Sequence, residues 1–200
     1  MGYSQAQKAE SRARVLDVAA RKIREDGIDS LGVADCMRAA GLTHGAFYAH
    51  FESRDALIVA ALESAIAEGD ARIETSIRDA EKNGKSPLEA VASSYLSERH
   101  LNNPGKGCAL CSLAGEARHS NDAIKGLFSR YTQMLAARIA EAAGIEDAER
   151  GLALIATVVG AITLARSVDD DALAKQILSG SLALVMSQDK RRKPTSAPAQ

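Results

Sequence analysis

Tryptophan is absent and aromatic residues make up only 4% of the chain. With β-branched alternation also hard to find, an all-β sandwich or barrel is excluded. Proline occurs four times in 200 residues, too seldom to break up long helices. Cysteine occurs three times, an odd number that makes no disulfide framework and suits a reducing compartment. A charge excess is missing too: 25 Lys+Arg face 26 Asp+Glu, a net charge of −1. The chain as a whole therefore has no attraction for nucleic acid, and any phosphate-binding surface must be arranged locally. The longest nearly apolar run, Leu152 to Ala165, is interrupted by Thr157, Gly160 and Thr163 and falls short of the roughly 20 residues that span a bilayer. Met1 to Arg14 is polar, without the apolar stretch of a signal peptide, so a cytoplasmic protein with no membrane partner is expected.

What is present suits an all-α domain: 46% hydrophobic and 26% charged residues, rich in Ala, Leu, Arg and Glu. Val15, Leu16, Ala19, Ala20 and Ile23 recur at helical spacing and Gly27 supplies a stop, which predicts a first helix over about 7–26. Val33, Cys36, Met37 and Ala40 give a short second helix behind Gly32, a weak N-cap, and ahead of Gly41. Thr43 caps a third segment, His44 to His50. Three short helices in about fifty residues, the last two joined by a tight Gly41-Leu42 turn, have the layout of a helix-turn-helix. Leu57, Ile58, Ala61, Leu62, Ala65, Ile66, Ile73 and Ile77 then mark one long connecting helix ended by Asn83-Gly84. Ser86-Pro87-Leu88-Glu89 reads as a capping box for a helix reaching about Leu101, and Asn102 to Gly107 is a loop. Four more helices are expected over about 108–118, 121–143, 146–166 and 170–188, giving about nine helices and no strand.

Charge is concentrated at the start. Between Met1 and Arg24 the residues Lys8, Arg12, Arg14, Arg21, Lys22 and Arg24 face only Glu10 and Asp17, a surplus of four positive charges beside the helix-turn-helix. A seven-residue helix is about 10 Å long, short enough to enter a major groove with its leading end on base edges. Thr43 and His44 stand at that end, Gly45 and Ala46 are small enough for close approach, and the Ala46 methyl suits a thymine methyl. Phe47 and Phe51, four apart, pack inward. Tyr48, His50, Arg54 and, on the first helix, Arg14 are placed for phosphate contact, which positions the helix without reading sequence.

The segment Gly41-x-x-x-Gly45-x-x-Tyr48-x-His50-Phe51, followed by Arg54-Asp55-x-Leu57, resembles the signature of TetR-family transcriptional regulators. The chain departs from that pattern at Gly32, where the family usually has Thr or Ser, and at Cys36-Met37, in place of Ile-Ala. Neither change removes a DNA contact. The resemblance implies a DNA-binding domain over 1–53 and an effector-binding and dimerisation domain over 54–188, while the Lys/Arg/Pro/Ser-rich composition of 189–200 predicts a basic, disordered tail. The resemblance also implies a homodimer on a palindromic double-stranded operator, released by a small-molecule effector, most simply as a repressor. Two apolar stripes fit the dimer: Leu152, Ile155, Val159 and Ile162, then Ile177, Leu178, Leu182 and Val185. Tyr95, Cys108, Leu113, Phe128, Tyr131 and Met134 are candidates for the effector pocket.

Cys108 and Cys111 form a Cys-x-x-Cys pair at a helix start, where thiol pKa values fall. With His100, Glu116 or His119 they suggest an alternative, a thiol- or metal-responsive regulator, although no second Cys-x-x-Cys or histidine pair completes a metal set. Neither a metal nor a cofactor is expected. Catalytic signatures are missing: there is no Gly-x-Ser-x-Gly, phosphate-binding P-loop, dinucleotide fingerprint or His-Glu-x-x-His, and His44, His50, His100 and His119 suggest no triad. The expectation is a regulator, not an enzyme.

Overall fold

The computed structural model describes residues 5–191. Nine α-helices follow one another among the described residues: α1 (Gln5–Asp26), α2 (Val33–Ala39), α3 (Arg54–Lys82), α4 (Pro87–Tyr95), α5 (Glu98–Leu101), α6 (Ala109–Ala117), α7 (Asp122–Ala143), α8 (Ala148–Ser167) and α9 (Asp171–Met186). Three 3₁₀ segments intervene at Ile28–Ser30, His44–Ala49 and Pro104–Lys106, and no strand occurs among the described residues. The all-α expectation holds.

The chain forms two compact units, the first built from residues up to Asp70 together with Asn102–Tyr131. In it, α1 buries the expected stripe of Val15, Leu16, Ala19, Ala20 and Ile23. Gly27 ends that helix at φ 92°, a conformation that side-chain-bearing residues seldom adopt. Helix α2 starts at Gly32 with no side-chain cap and ends in a Schellman motif: the Gly41 N–H reaches the Arg38 carbonyl at 3.0 Å and the Leu42 N–H reaches that of Met37 at 2.9 Å. Gly41 has φ 75°, so the turn between the second and third segments depends on glycine there.

The second unit comprises Ala71–Leu101 and the described residues from Thr132 onward. Ser86 caps α4, its Oγ accepting from the Glu89 N–H at 3.1 Å, as the capping box requires. The helix expected to run to Leu101 breaks at Leu96 (ψ 51°) and restarts as α5. Ser97 drives the restart, its hydroxyl accepting from the His100 N–H at 3.2 Å while donating to the Ser94 carbonyl at 2.8 Å. Asp147 and Asp170 cap α8 and α9, each such cap contributing about 1 kcal/mol. Helices α8 and α9 pack on each other, and α4 packs on both.

Two expectations change here. Residues 189–191 are held rather than loose: Ser86 donates to the Asp189 carboxylate at 2.5 Å, the Lys190 N–H reaches the Ala143 carbonyl at 3.0 Å, and Arg191 pairs with Glu81 at 3.3 Å. The rest of the expected tail, 192–200, lies outside the described residues. Second, the apolar run noted above belongs to a 20-residue helix, α8, that by length and composition reaches the range of a membrane span. One face of α8 is core, with Leu154, Ile155, Val158 and Ile162 buried, and Arg166 at its end donates to the carbonyls of His100 (2.7 Å) and Leu101 (3.1 Å).

Candidate nucleic-acid interface and effector region

The third segment of the helix-turn-helix is the 3₁₀ turn His44–Ala49 rather than an α-helix over 44–50. Six residues at about 2 Å each still make a probe about 12 Å long. Thr43 occupies the N-cap position without a capping bond from its side chain. Behind the probe, Phe47 and Phe51 are both buried, with ring centroids 5.8 Å apart. Ahead of it, Thr43, His44 and Gly45 are exposed and Ala46 is half-buried. Tyr48 is 74% exposed, its ring braced edge-on against Phe47 at 5.2 Å. An aromatic residue displayed to this degree is held outward by its own scaffold, not by a core that needs it.

Basic residues of α1 stand beside this edge. The Arg12 guanidinium lies 5.1 Å from the Phe51 ring centroid. Burial lowers the His50 pKa, and the nearby charges of Lys8 and Arg12 lower it further. His50 is therefore a neutral imidazole near pH 7, with its Nδ1 buried. Arg14 is exposed and bonds to the Glu10 carboxylate at 3.0 Å, the Ser11 hydroxyl at 3.3 Å and the Ala40 carbonyl at 3.4 Å, which ties α1 to the end of α2.

Arg54 departs from its expected role. Its Nε donates to the Leu31 carbonyl at 2.9 Å and its Nη2 to that of Ile28 at 2.7 Å, so the guanidinium pins the segment before α2 to the start of α3. Two of its three nitrogens are spent on the fold, and a phosphate-binding role is withdrawn.

A second set of ties was not legible in the sequence. Arg24 is buried and donates from Nη1 to the Gly107 carbonyl at 3.3 Å. Glu116, on α6, accepts the Ile28 N–H at 2.8 Å and sits against Gly27, where a Cβ would lie 2.9 Å from its carboxylate oxygens. Both ends of α6 are thus fastened to the end of α1. Separations of 83 and 88 residues leave no local signal for these contacts. Beside them lies a polar cleft of about 220 Å³, lined among others by Asp29, Arg54, Asp55, Glu116 and His119.

The effector candidates fall in different places. Tyr95 lines a small apolar cavity of the second unit, about 10 Å³, with Ile73, Leu135, Arg138 and Val158 among its neighbours. Met134 is half-buried on α7 in that unit. Cys108, Leu113, Phe128 and Tyr131 are buried in the first unit, and the Cys108 Sγ lies 3.2 Å from the Tyr131 hydroxyl. Burial raises the Cys108 thiol pKa, but hydrogen bonds from the Cys111 side chain, the Tyr131 hydroxyl and the backbone N–H groups of Cys111 and Leu110 outweigh it and bring it down to about 6. Cys36 differs: burial pushes its thiol up. Among the described residues no three His, Cys, Asp or Glu side chains come together to hold a metal, so the metal form of the alternative is not carried forward.

The expected dimer stripes also need correction. Ile155, Ile162, Leu178 and Val185 are buried within the chain itself, between 0 and 5% exposed, and have no surface to offer a partner. The other four of the expected residues keep surface, Leu152 exposed and Val159, Ile177 and Leu182 half-buried, and Leu164, Leu173 and Leu184, which the stripes omitted, are exposed beside them on α8 and α9.

An all-helical chain with an N-terminal helix-turn-helix, its probe exposed and flanked by basic residues, defines a DNA-binding regulator. Residues 15–61 match the family model for bacterial regulatory proteins of the tetR family. The match is confined to this region and covers less than half of the chain. The fold extends that likeness to most of the length. The reduced form of NemR from E. coli superposes with a TM-score of 0.75 over 88% of this chain and 95% of that one, at 19% identity. A TetR transcriptional regulator from Chloroflexus aurantiacus gives 0.73 over 92% and 96%, at 22% identity. One from Cytophaga hutchinsonii gives 0.73 over 96% and 100%, at 18% identity. At these identities the likeness is one of fold. No curated relative matches in sequence.

Proposed function

We propose that the protein is a cytoplasmic, ligand-released repressor that grips a palindromic operator as a homodimer. The observation that carries this reading is the exposed edge Thr43–Tyr48, offered to solvent by two buried phenylalanines and flanked by Lys8 and Arg12. His44, with Thr43, Gly45 and Ala46, reads base edges; Tyr48, His50, Lys8 and Arg12 hold phosphates, and Arg14 joins them by exchanging its solvent-exposed pairing with Glu10 for a phosphate. Two copies related by a two-fold axis would bring two such edges to successive major grooves about 34 Å apart. The outer leucines of α8 and α9 supply the contact, because exposed apolar side chains clustered on adjacent helices favour burial against a second copy.

The effector site is proposed for the apolar cavity of the second unit. At about 10 Å³ it holds little more than one water, so a ligand would have to select a more open arrangement, and release from DNA follows if that arrangement is the DNA-incompetent one. Helix α3 is the proposed coupling element. It runs without interruption from Arg54 to Lys82, and Arg54 grips the carbonyls of Ile28 and Leu31, so moving its start displaces the segment leading into α2.

Selection of bound sequences from random duplex DNA tests the reading. The expected result is an inverted repeat whose binding weakens steeply with salt, and His44→Ala should change the preferred bases. Failure to enrich any duplex at low ionic strength would refute it. A screen of small molecules for release of the selected duplex then identifies the effector class.

A further inference from the structure

We propose that Cys108 and Cys111 are an oxidisable dithiol, closed to a disulfide by a small hydroperoxide, and that closure loosens the tie between α6 and the end of α1. Cys108 is the N-cap of α6, and Cys111 lies in the first turn, hydrogen-bonded to it through its side chain. The two sulfurs are therefore neighbours before any oxidation. The Tyr131 hydroxyl 3.2 Å away and the backbone N–H groups of the first turn stabilise a thiolate at Cys108, which is the nucleophilic form. Both residues are less than a tenth exposed, which excludes bulky oxidants. Cys36 has no such surroundings: its sulfur lies 3.8 Å from the Val15 carbonyl, and burial favours the unreactive thiol.

The chemistry balances. The Cys108 thiolate attacks one peroxide oxygen, the O–O bond breaks, and the departing oxygen leaves as water or an alcohol after taking a proton, which gives a sulfenic acid. Cys111 loses its proton and its sulfur attacks the Cys108 sulfur; the S–O bond breaks and the oxygen leaves as water. Two electrons pass from the two sulfurs to the peroxide. The new bond takes the Cys108 sulfur away from Tyr131 and tightens the first turn of α6. The adjoining residue is Gly107, whose carbonyl accepts from buried Arg24. The other end of α6 holds Ile28 through Glu116, so strain in this helix reaches the segment preceding α2.

The test treats reduced protein with hydrogen peroxide and reads three quantities. Peptide mass should show loss of two hydrogens in the peptide holding residues 108 and 111, with Cys36 still free. Cys111→Ser should stop at a sulfenic acid trapped by a cyclic diketone, and Tyr131→Phe should slow oxidation near neutral pH. Hydrogen exchange of residues 24–31 should rise on oxidation of the native sequence but not of Cys111→Ser. Affinity for the selected duplex should fall about tenfold or more, within the range of ordinary couplings between sites. The proposal is overturned if both thiols survive peroxide that oxidises free cysteine, or if the bridge forms and exchange at 24–31 is unchanged. The affinity arm rests on the operator reading given above; a bridge that raises exchange in a protein that ignores all DNA would sink that reading and leave the switch standing.

Discussion

The recognition edge and the start of α6 both use a short helical segment, an aromatic residue and a reactive polar group, but they face opposite ways. At the edge, Phe47 and Phe51 are buried so that Tyr48 and His44 project into solvent. At α6, Tyr131 is buried and turned onto Cys108, and the polar groups serve each other. The first arrangement is offered to a partner outside the protein; the second, as we propose, changes state within it. A further contrast separates Tyr48 from Arg54, six residues later. One is displayed, the other is bonded into the fold, though both read as phosphate ligands in a linear sequence.

The widest break in this comparison would come from the helices of the second unit. Replacing both Leu164 and Leu184 by Asp places charges on the proposed dimer face while leaving the buried stripe intact. We expect a monomer by light scattering and loss of operator binding by about a hundredfold or more, since desolvating a charge at an interface costs several kcal/mol. A dimer that persists would relocate the interface.

Arg54→Met comes next. Losing two hydrogen bonds from a charged donor should destabilise the protein by roughly 2–3 kcal/mol, seen as a lower thermal midpoint, with DNA affinity falling only as folded protein is lost. A stable variant with weakened DNA binding would restore Arg54 to the phosphate contacts. For Tyr48→Phe the signs reverse: thermal stability should be unchanged, because the side chain is 74% exposed, and affinity should fall about fivefold for all sequences alike, the worth of about one hydrogen bond. A change in preferred bases would show that the hydroxyl reads a base edge.

The smallest effect concerns His100. Burial lowers its pKa, against the hydrogen bond to the Tyr95 carbonyl, and the charges of Arg166 and Arg72 lower it further. A histidine held neutral in the folded state contributes stability fully above its unfolded pKa of about 6.5, and that contribution is lost as pH falls through the lower folded value. Denaturation followed from pH 7.5 down to 5 should show declining stability, and His100→Gln should flatten that decline. An unchanged slope would assign it to other groups.

Much of the first fifty residues was legible because their signals are local. Gly41 and its two backbone bonds, the paired phenylalanines and the Ser86 cap are each specified within a few residues of sequence. The break of α4 at Leu96 was missed, although Ser97 is the kind of residue that starts a new helix; Ser93 and Ser94 just before it continue α4 without a break, so serine alone does not mark the boundary. Periodicity also identified the apolar residues of α8 and α9 but mixed the two sides: of those assigned to the partner, Ile155, Ile162, Leu178 and Val185 face the chain's own core, whereas Leu152, Val159, Ile177 and Leu182 are exposed or half-buried. A helix apolar around most of its girth has two faces to bury, and spacing alone cannot say which one its own chain covers.

Composition, spacing and turn residues thus determined an all-helical chain, the helix-turn-helix, its exposed leading end and its likeness to the tetR-family model over residues 15–61. Only the tertiary structure decided that Arg54 braces the fold, that Arg24 and Glu116 fasten α6 to the end of α1, and which leucines remain outside. Helices and their caps arise from interactions within about four residues, which a sequence displays directly. The direction in which a side chain spends its hydrogen bonds depends on backbone groups brought near it, 83 residues away for Arg24 and 88 for Glu116, and that information exists only once the chain has folded.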